Sequence, residues 1–281
     1  MPDYLKGTVR SADGTTIGYR QYGSGPGLIL VHGGMKAGQH LSPLAAELSD
    51  QFRVYVPDRR GRGLSGPYGT DFGMRREAED LQALTTATGA RFLFGHSAGA
   101  LISLRTALSV PALDRLAVYE PPLSVHGSVP TDWLPRFDRE IAAGKRAAAV
   151  VTALKGTGIE PTFARFPRWL LTGVGAMGLR VQKVHDDEVS IADLIPTMHF
   201  DVQLVQEMAD TAPEYAALQV PVLLLGGSKS PEYLDLALRE LESVLPHARR
   251  VTLQGLDHSG PEDDGSPLMV ARELRDFFTT S

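Results

Sequence analysis

Gly95-His96-Ser97-Ala98-Gly99 constrains this chain more than any other stretch. It has the form G-x-S-x-G, the nucleophile elbow, in which a serine sits on a sharp turn between a strand and a helix. The turn strains the serine backbone and crowds its neighbours, so a side chain at either flanking glycine would collide with them. The flanking sequence supplies the context. Arg91-Phe92-Leu93-Phe94 reads as a buried strand running into the turn, and residues 98–108 read as a helix with Leu101, Leu104 and Leu108 at helical spacing. The bland alternative, a glycine-rich turn whose serine only caps a helix, is outweighed by that strand–turn–helix order.

On either side of the elbow, strands and helices alternate. Residues 5–10 and 15–22 read as two strands joined at Asp13-Gly14, where a tight hairpin needs positive φ. Leu28-Ile29-Leu30-Val31 is a short continuous apolar run, as in a strand covered on both faces. Further strands are expected at 52–56, 115–120, 222–225 and 250–253, with helices near 41–49, over 74–88 and 231–245, and from 267. That alternation calls for a parallel sheet with helices on both faces. The 281 residues are 43% hydrophobic and 22% charged, as in an ordinary globular protein. A net charge of −5 gives no reason to expect nucleic acid or an anionic membrane as partner. There is no cysteine, which excludes disulfides, thiolate metal sites and cysteine nucleophiles. The first residues carry no signal-peptide pattern and no stretch is apolar enough to span a bilayer, so a cytoplasmic location is expected.

Two stretches invite a functional reading and are better explained without one. Gly61, Gly63 and Gly66 match G-x-G-x-x-G, but Pro67-Tyr68-Gly69 follows where a dinucleotide site needs a helix. A structural loop is expected. His185-Asp186-Asp187-Glu188 suggests a metal, yet four adjacent side chains cannot converge on one ion, and a solvated turn is expected. After Pro121-Pro122, residues 123–214 show weak helical patterns and no convincing strand. Their charges are segregated: nine basic and three acidic residues over 133–183, then eight acidic and no basic over 184–214. Two solvated faces that pair loosely explain this better than a steered entrance for a charged substrate.

A serine needs a positioned base to take its proton. Of eight histidines, His258 lies on a glycine-flanked loop after the last strand, where the chain can return over the sheet edge. His32 is expected to hold loop backbone, and His96 to point away from the serine. An oxyanion needs two backbone donors. Ala98 supplies one from the helix N-terminus, and Gly34 in Gly33-Gly34-Met35 is expected to supply the other.

Together these residues resemble the α/β-hydrolase superfamily, in particular its capped esterase- and lipase-like members. The motifs are His32-Gly33-Gly34, Asp58-Arg59-Arg60-Gly61-Arg62-Gly63-Leu64-Ser65, the elbow at Ser97, and His258. The resemblance implies a mostly parallel eight-stranded sheet, with a core of residues 1–122 and 215–281 and a mainly helical cap inserted at 123–214. It implies a serine hydrolase without cofactor or metal, acting on a small-molecule ester, thioester or lactone. Alternatives of the same fold are a cofactor-free lyase, cyclase or oxygenase, or a non-catalytic binding protein. The chain departs from the family pattern in one place. Ser230 stands where most members carry the triad aspartate, and a serine cannot be the acid. Glu120, at the strand end after the elbow unit, is the preferred acid, as in the haloalkane dehalogenases, with Asp201 as the alternative. The carboxylate of Glu120 should then lie within ~3.2 Å of a His258 ring nitrogen. Met35, Trp133, Trp169 and Phe200 are the expected substrate-lining residues.

Overall fold

A computed structural model describes residues 4–159, 165–181 and 187–280, with only the backbone of Arg180 and Val181. Eight strands form one sheet in the order β1-β2-β4-β3-β5-β6-β7-β8. They are β1 (Leu5–Arg10), β2 (Thr16–Tyr22), β3 (Gly27–Val31), β4 (Arg53–Pro57), β5 (Phe92–His96), β6 (Arg115–Tyr119), β7 (Val222–Gly227) and β8 (Ala248–Leu253). β2 pairs antiparallel with both β1 and β4, and all other pairs are parallel. The β1–β2 hairpin turns on Gly14 at φ +83°, as its Asp-Gly sequence requires.

The apolar runs explain the layering. Successive side chains of a strand point to opposite faces, so a run with no polar member must be covered on both. Leu28 and Leu30 join Phe94, Ala117, Tyr119, Leu223 and Leu225 in a core under α1 (Ser42–Leu48) and the C-terminal helix Pro267–Thr279. Ile29 and Val31 join Leu93, Leu116, Val118 and Leu224 on the other face. There they meet α2 (Met74–Thr88), α3 (Ala98–Ala107) and the helix Glu232–Val244. Each fully buried Leu or Phe contributes roughly 1.5–3 kcal/mol relative to exposure.

Between β6 and β7 the chain leaves the sheet. The described residues there contain no strand, and hold helices α4 (Leu134–Ala142), α5 (Arg146–Thr157), α6 (Arg168–Val181), α7 (Ile191–Leu194) and α8 (Met198–Glu207). Trp133, Phe137, Ala149, Ala153, Ile195 and Val202 form a small core of their own. Helices α9 (Glu232–Val244) and α10 (Pro267–Thr279) complete the chain. Among the described residues no helix is long and apolar enough to cross a membrane.

Candidate active site

Strands β3, β5, β6 and β7 run parallel, so their C-terminal ends and the loops that follow gather at one edge of the sheet. Ser97 stands there, between β5 and α3, at φ +54° and ψ −122°. The glycines that flank it are needed for space. A Cβ at Gly95 would lie 2.4 Å from the Gly99 carbonyl oxygen, and one at Gly99 would lie 2.4 Å from that of Val31. Met35, Ser97 and Glu120 are three of only five non-glycine residues with positive φ among those described. Backbone strain is thus concentrated where β3, β5 and β6 end, the pattern of a site whose surroundings over-determine it.

His258 and Glu120 meet the serine. The Ser97 hydroxyl lies 3.0 Å from His258 Nε2, and His258 Nδ1 lies 2.7 Å from Glu120 Oε2. With Nδ1–H donating to the carboxylate, Nε2 is left to accept the serine proton. The other Glu120 oxygen accepts the Gly227 amide at 2.6 Å. Burial alone would raise the Glu120 pKa, but the hydrogen bond and charge of His258 outweigh it and hold the carboxyl below its ordinary value. Glu120 is 1% exposed, so it is a buried charge with every oxygen partnered.

Asp201, the alternative acid, is placed elsewhere. Its expected setting in the acidic, solvated half of 184–214 is wrong: the carboxylate is buried and bonds Arg59 Nη1 at 2.8 Å, Arg62 Nη2 at 2.7 Å and the Met35 amide at 2.9 Å. Burial pushes its pKa up, and the Arg62 and Arg59 guanidiniums more than reverse that. The glycine-rich loop is structural, as expected. Its arginines are consumed by Glu77 and Asp201 (Arg59), Asp80 and Asp13 (Arg60) and Asp201 (Arg62). His32 holds backbone, with Nδ1 on the Gly33 carbonyl at 2.9 Å and Nε2 accepting the Arg59 amide at 3.1 Å. Of the acidic run, His185 and Asp186 lie outside the described residues, and Asp187 bonds Tyr4 and Lys6. The described residues hold no metal-ligating cluster.

Two cavities open at Ser97. A recess of about 60 Å³ is lined by Gly34, Ala98, Val129, Trp133, Val202 and Leu234, among others. A wider space of about 420 Å³ is bordered by Met35, Lys36, His96, Thr157, Ser259 and Glu262. Ser97 and His258 line both. Met35 borders the wider space and Trp133 the recess, whereas the other two aromatics, Trp169 and Phe200, line neither. Trp169 is 75% exposed, on the helix α6 where Val174 and Met177 are also exposed, and it lines neither cavity. Phe200 stacks on Tyr68 with ring centroids 3.8 Å apart and packs edge-on against Phe72. It is packing between α8 and the loops before α2.

His96 packs against the loop of His258. Its ring lies 4.9 Å from that of His258, its Nε2 donates to the His258 carbonyl at 2.9 Å, and its Nδ1 faces Glu262 at 3.3 Å. Glu262 pairs in turn with Lys36 at 2.6 Å. Burial would raise the Glu262 pKa, yet contact with His96 and the Lys36 charge hold it at about 2. A depressed carboxyl pKa contributes stability that is full above the ordinary value near 4.5 and is lost as pH falls through about 2. Glu262→Gln should therefore lower the unfolding free energy by up to about 3 kcal/mol near neutral pH. Urea titrations should show that gap closing as pH approaches the lower value; a gap independent of pH would contradict the assignment.

The chain belongs to the alpha/beta hydrolase family, whose sequence pattern matches residues 28–272. It is 26% identical over 269 residues to 2-(acetamidomethylene)succinate hydrolase of Mesorhizobium japonicum, covering 93% of this chain and 91% of that protein. N-formylmaleamate deformylase of Pseudomonas putida is 38% identical over 133 residues, 45% of this chain and 49% of the relative. Among solved structures, an alpha/beta hydrolase from Sphaerobacter thermophilus superposes with a TM-score of 0.77 at 32% identity, over 97% of this chain and 100% of that one. With relatives of these kinds, the chain is a hydrolase.

Proposed function

We propose that the protein hydrolyses a small carboxylic ester, thioester or lactone through an acyl-serine intermediate. The observation that carries this reading is the continuous line Ser97–His258–Glu120, at 3.0 and 2.7 Å, ending in a carboxylate that is buried and ionised. Ser97 Oγ attacks the acyl carbon as His258 Nε2 takes its proton. Glu120 holds Nδ1–H, fixes the tautomer and stabilises the imidazolium. The amides of Gly34 and Ala98 bind the oxygen that becomes negative. The leaving group departs with the proton from His258, and water, deprotonated by the same imidazole, releases the acid and restores Ser97.

The cavities support a division of the substrate. The apolar recess adjoins both oxyanion donors, Gly34 and Ala98, and takes a short acyl chain. The wider, more polar space takes the leaving group. Residues 123–214 act as a cap over the core of 1–122 and 215–281, a reading supported by Trp133, Thr157, Ile159, Met198 and Val202, which line the recess from that segment. Val202→Ala, which enlarges the recess, should move the preferred acyl length upward by a carbon or two on a nitrophenyl ester series. An unaltered chain-length profile would place the acyl group elsewhere.

A second reading is favoured by the names of the relatives, a hydrolase of an acetamido compound and a deformylase. The scissile bond is then an activated amide, cleaved by the same residues in the same order. A panel of purified protein against short nitrophenyl esters, lactones and N-acyl enamines decides between them. Turnover of the esters or lactones with the greater kcat/KM supports the first reading, and preference for the N-acyl compounds supports the second. No hydrolysis of any class would remove both.

A further inference from the structure

We infer that Asp201 is a positioning residue that locks the Gly33–Gly34 peptide with its N–H turned toward the reacting oxygen. This rests on the acyl-serine reading, in which Gly34 N–H is an oxyanion donor. The carbonyl of Gly33 and the N–H of Gly34 belong to one planar trans peptide, so they point in opposite directions. Whatever grips the carbonyl aims the N–H. Three groups grip it: His32 Nδ1 at 2.9 Å, Arg59 Nη1 at 3.4 Å and Arg62 Nη1 at 3.5 Å. Rotation of this peptide would expel those donors and turn an acceptor toward the oxyanion.

Asp201 holds the assembly together. One oxygen accepts from both guanidiniums, at 2.8 and 2.7 Å, and the other accepts the Met35 amide at 2.9 Å. Met35 is at φ +52°, a conformation a residue with a side chain keeps only when its neighbours enforce it. Arg62 Nη1 also donates to the Lys36 carbonyl at 2.9 Å, so the loop is pinned before and after Gly34. A Cβ at Gly34 would crowd the Asp201 carboxylate at 3.2 Å, so a side chain there would press on the group that holds the loop. His32, Arg59, Arg62 and Asp201 are buried, and donors held by such a fixed network stabilise developing charge without reorganising as it forms. Asp201 lies on α8, in the segment between β6 and β7, whereas Arg59, Arg62 and Met35 belong to loops after β4 and β3. The carboxylate thereby makes the readiness of the oxyanion site depend on how that segment is seated.

The test compares Asp201→Asn with the wild type on its best ester, at a temperature where circular dichroism shows both folded. Inhibition by a short alkylboronic acid, which forms a tetrahedral adduct on the serine, is measured alongside. For Asp201→Asn, kcat should fall roughly ten- to a hundredfold, less than the 10²–10³ lost with an oxyanion donor itself. KM should stay within about twofold while the boronate Ki rises in step with the loss of kcat, because only the tetrahedral state uses the aimed N–H. Should the single variant fail to fold, Asp201→Asn with Arg62→Gln removes both charges of that pair, leaves Arg59 with Glu77, and is held to the same expectations. A folded variant with lowered Tm but unaltered kcat and boronate Ki would overturn the inference and leave the serine mechanism standing. A wild-type enzyme that hydrolyses esters yet ignores the boronate, with Ser97 dispensable, would overturn the acyl-serine reading itself.

Discussion

Ser97→Ala is expected to abolish turnover, with a loss of roughly 10⁴–10⁶ in kcat, while Tm and circular dichroism stay close to wild type. The two halves of that expectation come from different parts of the structure. The Oγ atom makes its bond to His258 and caps no helix amide, so its removal takes away the nucleophile and little packing. The strand–helix joint depends instead on Gly95 and Gly99, which admit the neighbouring backbone, and on a strained φ that alanine shares with serine. Substrate should still bind with a KM near wild type. A folded Ser97→Ala enzyme retaining even a tenth of the wild-type rate would remove the serine from the chemistry.

Glu120→Gln should cost about 10³–10⁴ in kcat with the fold retained. Glutamine can keep the Gly227 amide on its carbonyl oxygen. Its NH₂ then faces His258 Nδ1, which must accept, and that tautomer carries its proton on Nε2, where the serine proton has to go. The buried negative charge opposite the imidazolium is lost as well. Because the Glu120 pKa is depressed, its contribution is complete above the ordinary carboxyl value and is lost only as pH falls well below it. Raising the pH should therefore not rescue the variant. An unaltered rate in Glu120→Gln, measured by steady-state kinetics, would mean that His258 is oriented by something else.

Much of this was legible in the residues because the physics was local. β3 and β7 announce themselves as unbroken apolar runs, since a strand covered on both faces has no polar side to show. Ser97 came with its turn glycines, and Glu120 with its place at the end of β6 and two prolines after it. What escaped was long-range. Asp201 looked solvated among seven other acids of 184–214, and only the fold brings it to Arg59 and Arg62, more than a hundred residues earlier. Its one sequence signal was the unusual density of arginines at 59, 60 and 62, too many for an exposed loop to need. Trp169 and Phe200 show the converse difficulty. An aromatic in a short helix has the same sequence signature whether it faces a pocket, another ring or water. The elbow sequence also carries no sign that the loop of His258 folds back over His96 and gives its ring a carbonyl to hold.

The acyl-serine intermediate itself is the most direct point of test. Protein mixed with a slowly deacylated ester, quenched in acid and digested, should carry the acyl mass on the peptide containing Ser97. The adduct should appear within one turnover, vanish on longer incubation, and be absent from Ser97→Ala. Steady turnover with no adduct on that peptide, or with the acyl group on another residue, would contradict the proposed mechanism.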